Sequence, residues 1–526
     1  MKKNLILLAL TLSIAGRVSA ASTDIVPRGS TLLDAFATLA RAEAFGAADT
    51  PEDFLGEPLY SRGQLARRLE HLVSDNPEML AKVQKSSGTA AALHAALVAL
   101  QPELAADRVD TSKADRTAEG DAVRGTSVSG YVQPEIRLGA GGDKKPGSGA
   151  LGVYRLTALG SLRSNLGYVI SASNWAQDSR RVFSNDIGTH DFSALNEAYL
   201  ELNGGRGLQV SLGRMNNRWG PGYRGAVLVS DNPPAMDQLQ VAFPFSLGPH
   251  LGREYHYTQF VSTFSDGGTR RYFVGRRIEY QFSPRLTADF QDSFLSTSQQ
   301  SLRLTPFPFF YIAQGSKVIG LRSLDAKFNA FMNFTVAYAA NPDTRFYGQF
   351  GIDDIQSPGH QSYRTPRKIA YLVGTALHPL PGTNLVAEYT FADPTTYTSR
   401  IPETQWQFGQ YNEIGLPTGP NGREIFLRLS QKLAPGLTFA VQGRDKKRHN
   451  DSFAVPNSRD LSASLDYAIN HHAGLQVTYH DYRQTAFPLD PSIPLPGDGF
   501  TPANAEGFYG QNQRIKELDV AYRLFF

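Results

Sequence analysis

Lys516-Glu517-Leu518-Asp519-Val520-Ala521-Tyr522-Arg523-Leu524-Phe525-Phe526 alternates through its whole length. Leu518, Val520, Tyr522, Leu524 and Phe526 fall on one face, and Asp519, Ala521, Arg523 and Phe525 on the other. Successive side chains of a strand point to opposite sides, so the stretch reads as a strand with one continuous apolar face.

The same pattern recurs upstream as hairpins. Ile425, Leu427 and Leu429 alternate, Leu433-Ala434-Pro435-Gly436 turns the chain, and Leu437, Phe439 and Val441 alternate again. Ala463, Leu465, Tyr467 and Ile469 pair in the same way with Leu475, Val477 and Tyr479. From Tyr131 onward, gaps of two sizes separate such strands. Short connections fall at 163–165, 203–207, 434–436 and 470–474; long ones at 139–150, 175–192, 215–237, 340–368, 391–423, 444–459 and 482–515. Short turns alternating with long loops, and strands of about ten residues with one lipid-facing side, are the pattern of a transmembrane β-barrel. Roughly 400 residues, at about 22 to 25 per strand with its connection, give 16 to 18 strands; an even number is expected, and we expect eighteen. The repeat of about 40 to 50 residues that a propeller would require is missing.

Composition agrees. Tyr 23, Phe 31 and Gly 48 supply interfacial aromatic girdles and turns. The mean hydropathy is negative, which a barrel tolerates because its inward residues are polar. Without cysteine, disulfides, thiolate metal sites and cysteine nucleophiles are excluded. A C-terminal Phe526 preceded by alternate apolar residues resembles the terminal strand by which outer-membrane barrels are recognised for assembly, so the barrel assembly machinery and outer-membrane lipid are expected partners.

At the other end, Lys2 and Lys3, the apolar run Leu5 to Ile14 and the small-residue site Val18-Ser19-Ala20 predict a signal peptide over 1–20. The run is too short for a span of roughly 20 residues. Losing Lys2, Lys3 and Arg17 takes the formal charge from +3 to zero, which argues against nucleic acid as a partner. Residues 21–105 predict a helical periplasmic domain. Leu32, Leu33, Phe36, Leu39 and Ala40 carry one amphipathic stripe. Ser61 and Gln64 suggest a capping box ahead of Leu65, Leu69 and Leu72, Asn76-Pro77 opens a third helix, and Leu93, Leu97 and Leu100 mark a fourth. Asp24 to Val73 resembles the surface-layer-homology-like helical elements that precede some envelope barrels. Residues 106–126 read as a linker and 127–526 as the barrel.

The densest cluster of unusual residues is Gly213-Arg214-Met215-Asn216-Asn217-Arg218-Trp219-Gly220-Pro221-Gly222-Tyr223-Arg224-Gly225, leading to Ser230-Asp231-Asn232. Two readings stand. Gly-Pro-Gly permits a sharp excursion that holds the Trp219 and Tyr223 rings beside Arg214, Arg218 and Arg224, an arrangement suited to sugars. Alternatively, the segment packs against the barrel wall with its arginines paired to Asp231 and Asp237. Asp353 and Asp354 invite a glycosidase reading, but neighbours in a strand point apart, and a charge network with lumen arginines suits them better. His471, His472 and His480 lack the spacing of a metal site. The Arg444 to His449 run reads as a solvated basic loop tip.

Three motifs resemble the capsule-assembly Wzi proteins, outer-membrane barrels that act as lectins for capsular polysaccharide. They are Gly213-Arg214 with Arg218 to Tyr223 and Ser230-Asp231-Asn232; Phe346-Tyr347-Gly348-Gln349 with Ile352-Asp353-Asp354; and Tyr411 with Gly419-Pro420-Asn421-Gly422. The resemblance implies about eighteen strands, an N-terminal helical portion, no enzymatic activity and no cofactor, and capsular or exopolysaccharide as ligand. On that reading Arg218, Trp219, Tyr223 and Arg224 are the first candidate contacts, with Arg214 and Asp231 beside them and Asp353 and Asp354 shaping the lumen. A porin or substrate-specific channel is the rival, and an envelope enzyme the third reading.

Overall fold

The computed structural model describes helical pieces within 25–104 and most of 127–525. Outside the described residues lie 1–24, 105–126, 142–148, 174–193, 246–254, 306–327, 355–367, 449–456, 485–512, Phe526 and some shorter pieces. The expected signal peptide and linker fall there, as do Asn232, Tyr411, His449, His471 and His472.

Helices α1 (Thr31–Arg41), α2 (Pro77–Lys85) and α3 (Ser87–Ala99) bury one apolar core. Leu32, Leu33, Phe36, Leu39 and Ala40 of α1 meet Leu65, Leu69, Leu72, Leu93 and Leu100, the residues that carry the helical spacing. Ser61 departs from expectation. With Tyr60 it pairs with Ile25–Val26 as a two-residue bridge, and helical backbone starts only at Leu65.

Eighteen antiparallel strands close the barrel. They are β1 (Ser127–Gly141), β2 (Gly149–Arg163), β3 (Leu166–Ser173), β4 (Ala194–Asn203), β5 (Gln209–Met215), β6 (Met236–Phe245), β7 (Tyr255–Asp266), β8 (Thr269–Ser283), β9 (Leu286–Ser296), β10 (Phe328–Asn341), β11 (Thr344–Asp354), β12 (Lys368–Leu377), β13 (Thr383–Ala392), β14 (Gly422–Ala434), β15 (Leu437–Arg448), β16 (Ser458–Asn470), β17 (Ala473–Gln484) and β18 (Gln513–Phe525). β18 pairs with β1, Leu518 opposite Leu138, so no edge strand is left open.

Two expected loops prove to contain strand. The stretch 340–368 holds β11, and 444–448 and 458–459 are the ends of β15 and β16, so the basic run through Lys447 extends a strand wall.

Alternation sets the two faces. On β14, Ile425, Leu427 and Leu429 point outward and are exposed, while Glu424, Phe426 and Ser430 are buried inside. A chain of ring contacts, Phe243, Phe245, Tyr255, Tyr280 and Phe282, runs outside β6–β8 near their short-connection ends, as an interfacial girdle does. Connections at the opposite end are mostly longer, that between β7 and β8 being short, while the β6–β7 connection is the long one at the first end. Gly88 of α3 lies against Asp343 and His378 at the short-connection end.

Candidate functional site

Two of the long connections fold into the lumen. Residues 216–235, between β5 and β6, lay Val227, Leu228 and Val229 against Tyr397, Trp406, Ile414 and Leu416 of the connection from β13 to β14. Wall residues Phe260, Phe264, Phe273, Leu295, Phe331, Tyr347 and Leu372 close around them. Each large apolar side chain so buried contributes roughly 2–3 kcal/mol.

Burial here strands backbone polar groups, which must be paired. The two segments pair largely with each other. The Ser230 N–H donates to Ile414 O at 2.8 Å, and within the first segment the Trp219 N–H donates to Val229 O at 2.9 Å. The Trp406 indole donates to Leu228 O at 2.9 Å and the Tyr397 hydroxyl to Val227 O at 2.7 Å. Beneath them the barrel wall provides a polar floor. Gln291 and Gln349 side-chain amides donate to Trp219 O at 3.2 and 2.9 Å, and both also reach Thr335 Oγ1.

Close approach needs missing side chains on the wall. A Cβ on Gly275 would collide with Phe260 and Trp219, and one on Gly351 with Val227. Gly220 sits at φ 144° over the Gln349 amide, a conformation that favours glycine.

The expected site residues separate into three places. Arg214 faces outward, on the side of Leu212, and its fork grips Asp237 at 2.8 and 3.0 Å. Trp219 is 0 % exposed and packs 5.0 Å from Phe260. It is the centre of the inserted core, a correction to its reading as an open platform for sugar. Arg218 pairs with Asp231 at 3.6 Å and bonds Gly222 O. These pairings are those of the wall-packed reading of this segment.

Asp353 is buried. It accepts the Tyr397 N–H at 2.9 Å and lies 3.9 Å from Lys368, so its cationic neighbour is a lysine where an arginine was expected. Asp354 ends β11 opposite Lys368; its side chain lies outside the described residues.

Tyr223 and Arg224, at the tip of the inserted loop, are brought to the wall of β13 and β14. Their backbone N–H groups both bond the Glu388 carboxylate, Arg224 at 2.9 Å, and the Tyr347 hydroxyl donates to the same group at 2.7 Å. Tyr223 stacks on Phe426 with centroids 5.5 Å apart and planes 12° from parallel. The Arg428 guanidinium stands 5.2 Å from the Tyr223 ring centre, and that of Arg224 5.6 Å from Phe426. Arg224 is also 3.5 Å from Glu424.

Tyr223 keeps 41 % of its surface open. Two stacked rings, two guanidinium groups and two carboxylates are therefore gathered at one spot. The open Tyr223 ring offers a face to sugar C–H groups and the guanidinium forks take hydroxyls or uronates, while the buried Glu388 and Glu424 carboxylates hold the loop tip in place. Sequence reasoning missed Glu388, Glu424, Phe426 and Arg428, which sit in strands far from the loop in sequence. The only signal was alternation itself, which puts Glu424, Phe426 and Arg428 on the inward face.

Comparison with known proteins agrees with this architecture. The capsule assembly protein Wzi family matches residues 107–490. The chain belongs to that family. Wzi of Escherichia coli, described as a carbohydrate-binding β-barrel involved in group 1 capsule assembly, superposes with a TM-score of 0.56 at 13% identity, covering 94% of this chain and 99% of that one. OprD of Pseudomonas aeruginosa reaches 0.41 at 11% identity over 77% of this chain and 96% of that one. That similarity is too low to support any inference about function. Comparison with curated proteins finds no match. The barrel and the inserted segment on which the resemblance rests both lie within the matched residues. Gln349 and Asn421, which lie in the other two motifs, also serve the insertion: Gln349 holds Trp219 and Val227, and the Asn421 N–H bonds Asp393 O at 3.1 Å.

Proposed function

We propose that this chain is an outer-membrane lectin that binds exported capsular or exopolysaccharide and helps hold it at the cell surface. The observation that carries the reading is the platform at the loop tip, with Tyr223 stacked on Phe426 between Arg224 and Arg428. Escherichia coli Wzi, of the same fold, is described as binding carbohydrate, and the platform is a chemically suitable place for such binding here.

In this reading the long-connection end faces outward. The short-connection end and the helices beside it face the periplasm, the signal peptide is removed at export, and the barrel assembly machinery folds the chain through its last strand. The protein acts without catalysis, and Asp353 serves to hold the second inserted segment. The two insertions fill the lumen beside β6–β13, which narrows any channel on that side.

Binding of detergent-folded protein to polysaccharide from its own host tests the proposal. Tyr223→Ala and Arg428→Ala should each weaken saturable binding roughly tenfold, the loss of one ring or cation contact. No binding by a folded wild type would refute it.

A further inference from the structure

The outer surface of β14–β18 changes character abruptly toward the long-connection end. Exposed Ile425, Leu427, Leu461, Leu465, Tyr479, Leu518 and Tyr522 form the apolar band. Continuing along the same outward positions, each strand ends in charge: Arg423 on β14, Asp445 and Lys447 on β15, Arg459 on β16, Asp481 and Arg483 on β17, Lys516 and Arg514 on β18. Among the described residues of this surface, six cations meet two carboxylates.

The arginines are not scattered. Arg459 pairs in register with Arg483, and Arg483 with Arg514, so three guanidinium groups stand side by side on three neighbouring strands. Like charges directly opposite one another destabilise a sheet. The neutralisation present is partial. Asp481 takes forks from both Arg483 and Arg514, at 3.0 and 2.8 Å, and Asp445 is shared by Lys447 at 3.2 Å and Arg459 at 3.6 Å. The three arginine side chains remain 69 %, 55 % and 49 % exposed, so their outer faces are accessible.

A fork of N–H donors matches phosphate geometry, and several adjacent forks match a ligand with more than one phosphate. Position decides the source. The row begins where the lipid-facing residues stop, at the depth of an anionic headgroup. A lumen polymer would reach only the opposite side of these strands. We propose that Arg459, Arg483 and Arg514, flanked by Lys447, Lys516 and Arg423, bind the phosphates of a phosphorylated glycolipid in the outer leaflet. The site rests on the outward orientation of the long-connection end given above. It is independent of the lumen platform, so either can fail alone.

The test is native mass spectrometry of the full protein purified from outer membranes in detergent and mixed with bisphosphorylated lipid A, dephosphorylated lipid A or inorganic phosphate. Bisphosphorylated lipid should be retained and the dephosphorylated form lost. Excess inorganic phosphate should compete only weakly, which distinguishes a headgroup site from a general anion site. Arg459→Gln/Arg483→Gln/Arg514→Gln should weaken retention roughly tenfold, and the corresponding triple lysine variant should recover only part of it, because charge returns without the fork. Equal losses in the glutamine and lysine variants would trace the effect to structure and overturn the proposal. So would retention indifferent to phosphate, full competition by inorganic phosphate, or capture of an acidic polysaccharide by the arginine row in place of lipid. Host polysaccharide binding in the glutamine variant should stay unchanged; its loss there would move the row into the lectin site and overturn the lipid assignment.

Discussion

The lumen faces of β6–β13 and of β15–β18 differ within one closed sheet: the first sets an apolar socket among polar residues such as Gln291, Asn333 and Gln349, and the second is polar. On the first arc, inward positions are taken by Phe260, Phe264, Phe273, Leu295, Phe331 and Leu372, with Gly275 and Gly351 opening room for Trp219 and Val227. On the second they hold Arg444, Asp460, His480 and Asp519. Arg444 lies 3.3 Å from Asp460, and His480 stands between Asp460 at 4.0 Å and Asp519 at 3.8 Å. At the seam beside it, Arg523 donates to Gln133 and Gln476 at 2.9 and 2.8 Å. A barrel wall that faces water can be polar throughout. A wall that must hold two loops needs a dry interface, because polar groups alone gain little over water. The difference marks the first arc as a socket and the second as a wall.

Removing the centre of the socket should have the largest effect. Trp219→Ala deletes a fully buried ring and should cost roughly 3–5 kcal/mol, read as a lower unfolding midpoint in the heat-dependent mobility of the folded barrel. It should also loosen the insertions enough to raise conductance in planar bilayers. A cost as small as that of a surface substitution would show that the insertions do not rely on this core. Glu388→Gln comes next. It keeps shape and one acceptor oxygen but removes the charge that holds the Tyr223 and Arg224 N–H groups and the Tyr347 hydroxyl. About 1.5–3 kcal/mol is at stake. Polysaccharide affinity should fall with it, because the platform loses its support; an unchanged affinity would detach the platform from the glycan site.

The same division explains what could be read in advance. The hairpin through Pro435 and Gly436 was legible because Ile425, Leu427 and Leu429 face lipid while Glu424 and Arg428 face the lumen, so polarity alternates. β11 was hidden for the opposite reason. Tyr347 and Gly351 face inward without being polar, and Phe346, Phe350 and Ile352 face outward, so Phe346 to Ile352 shows no binary pattern and passed as loop. Trp219 was misread by the same mechanism, since an aromatic among arginines suggests an open sugar platform unless the lumen is known to be apolar. Partners of the loop tip such as Glu388 and Phe426 lie about 165 and 200 positions away, beyond any local signal. Tyr223 and Arg224 were chosen for their chemistry and do reach a shared spot. Arg214 was chosen for the same chemistry, but strand parity sends it outside.

The smallest expected effect falls on the polar arc, and it is the sharper test of the comparison because it predicts tolerance. Arg444 and Asp460 keep 18% and 24% of their side chains exposed, so solvent screens their attraction in part. Pairs of this kind are worth about 1 kcal/mol or less. Arg444→Gln should therefore leave the unfolding midpoint within the range of surface substitutions, and Arg444→Gln/Asp460→Asn should do no worse than the single change, since the double variant strands no charge. If the single change instead cost as much as Trp219→Ala, the arc would be a second packed interface and the contrast between the two walls would fail.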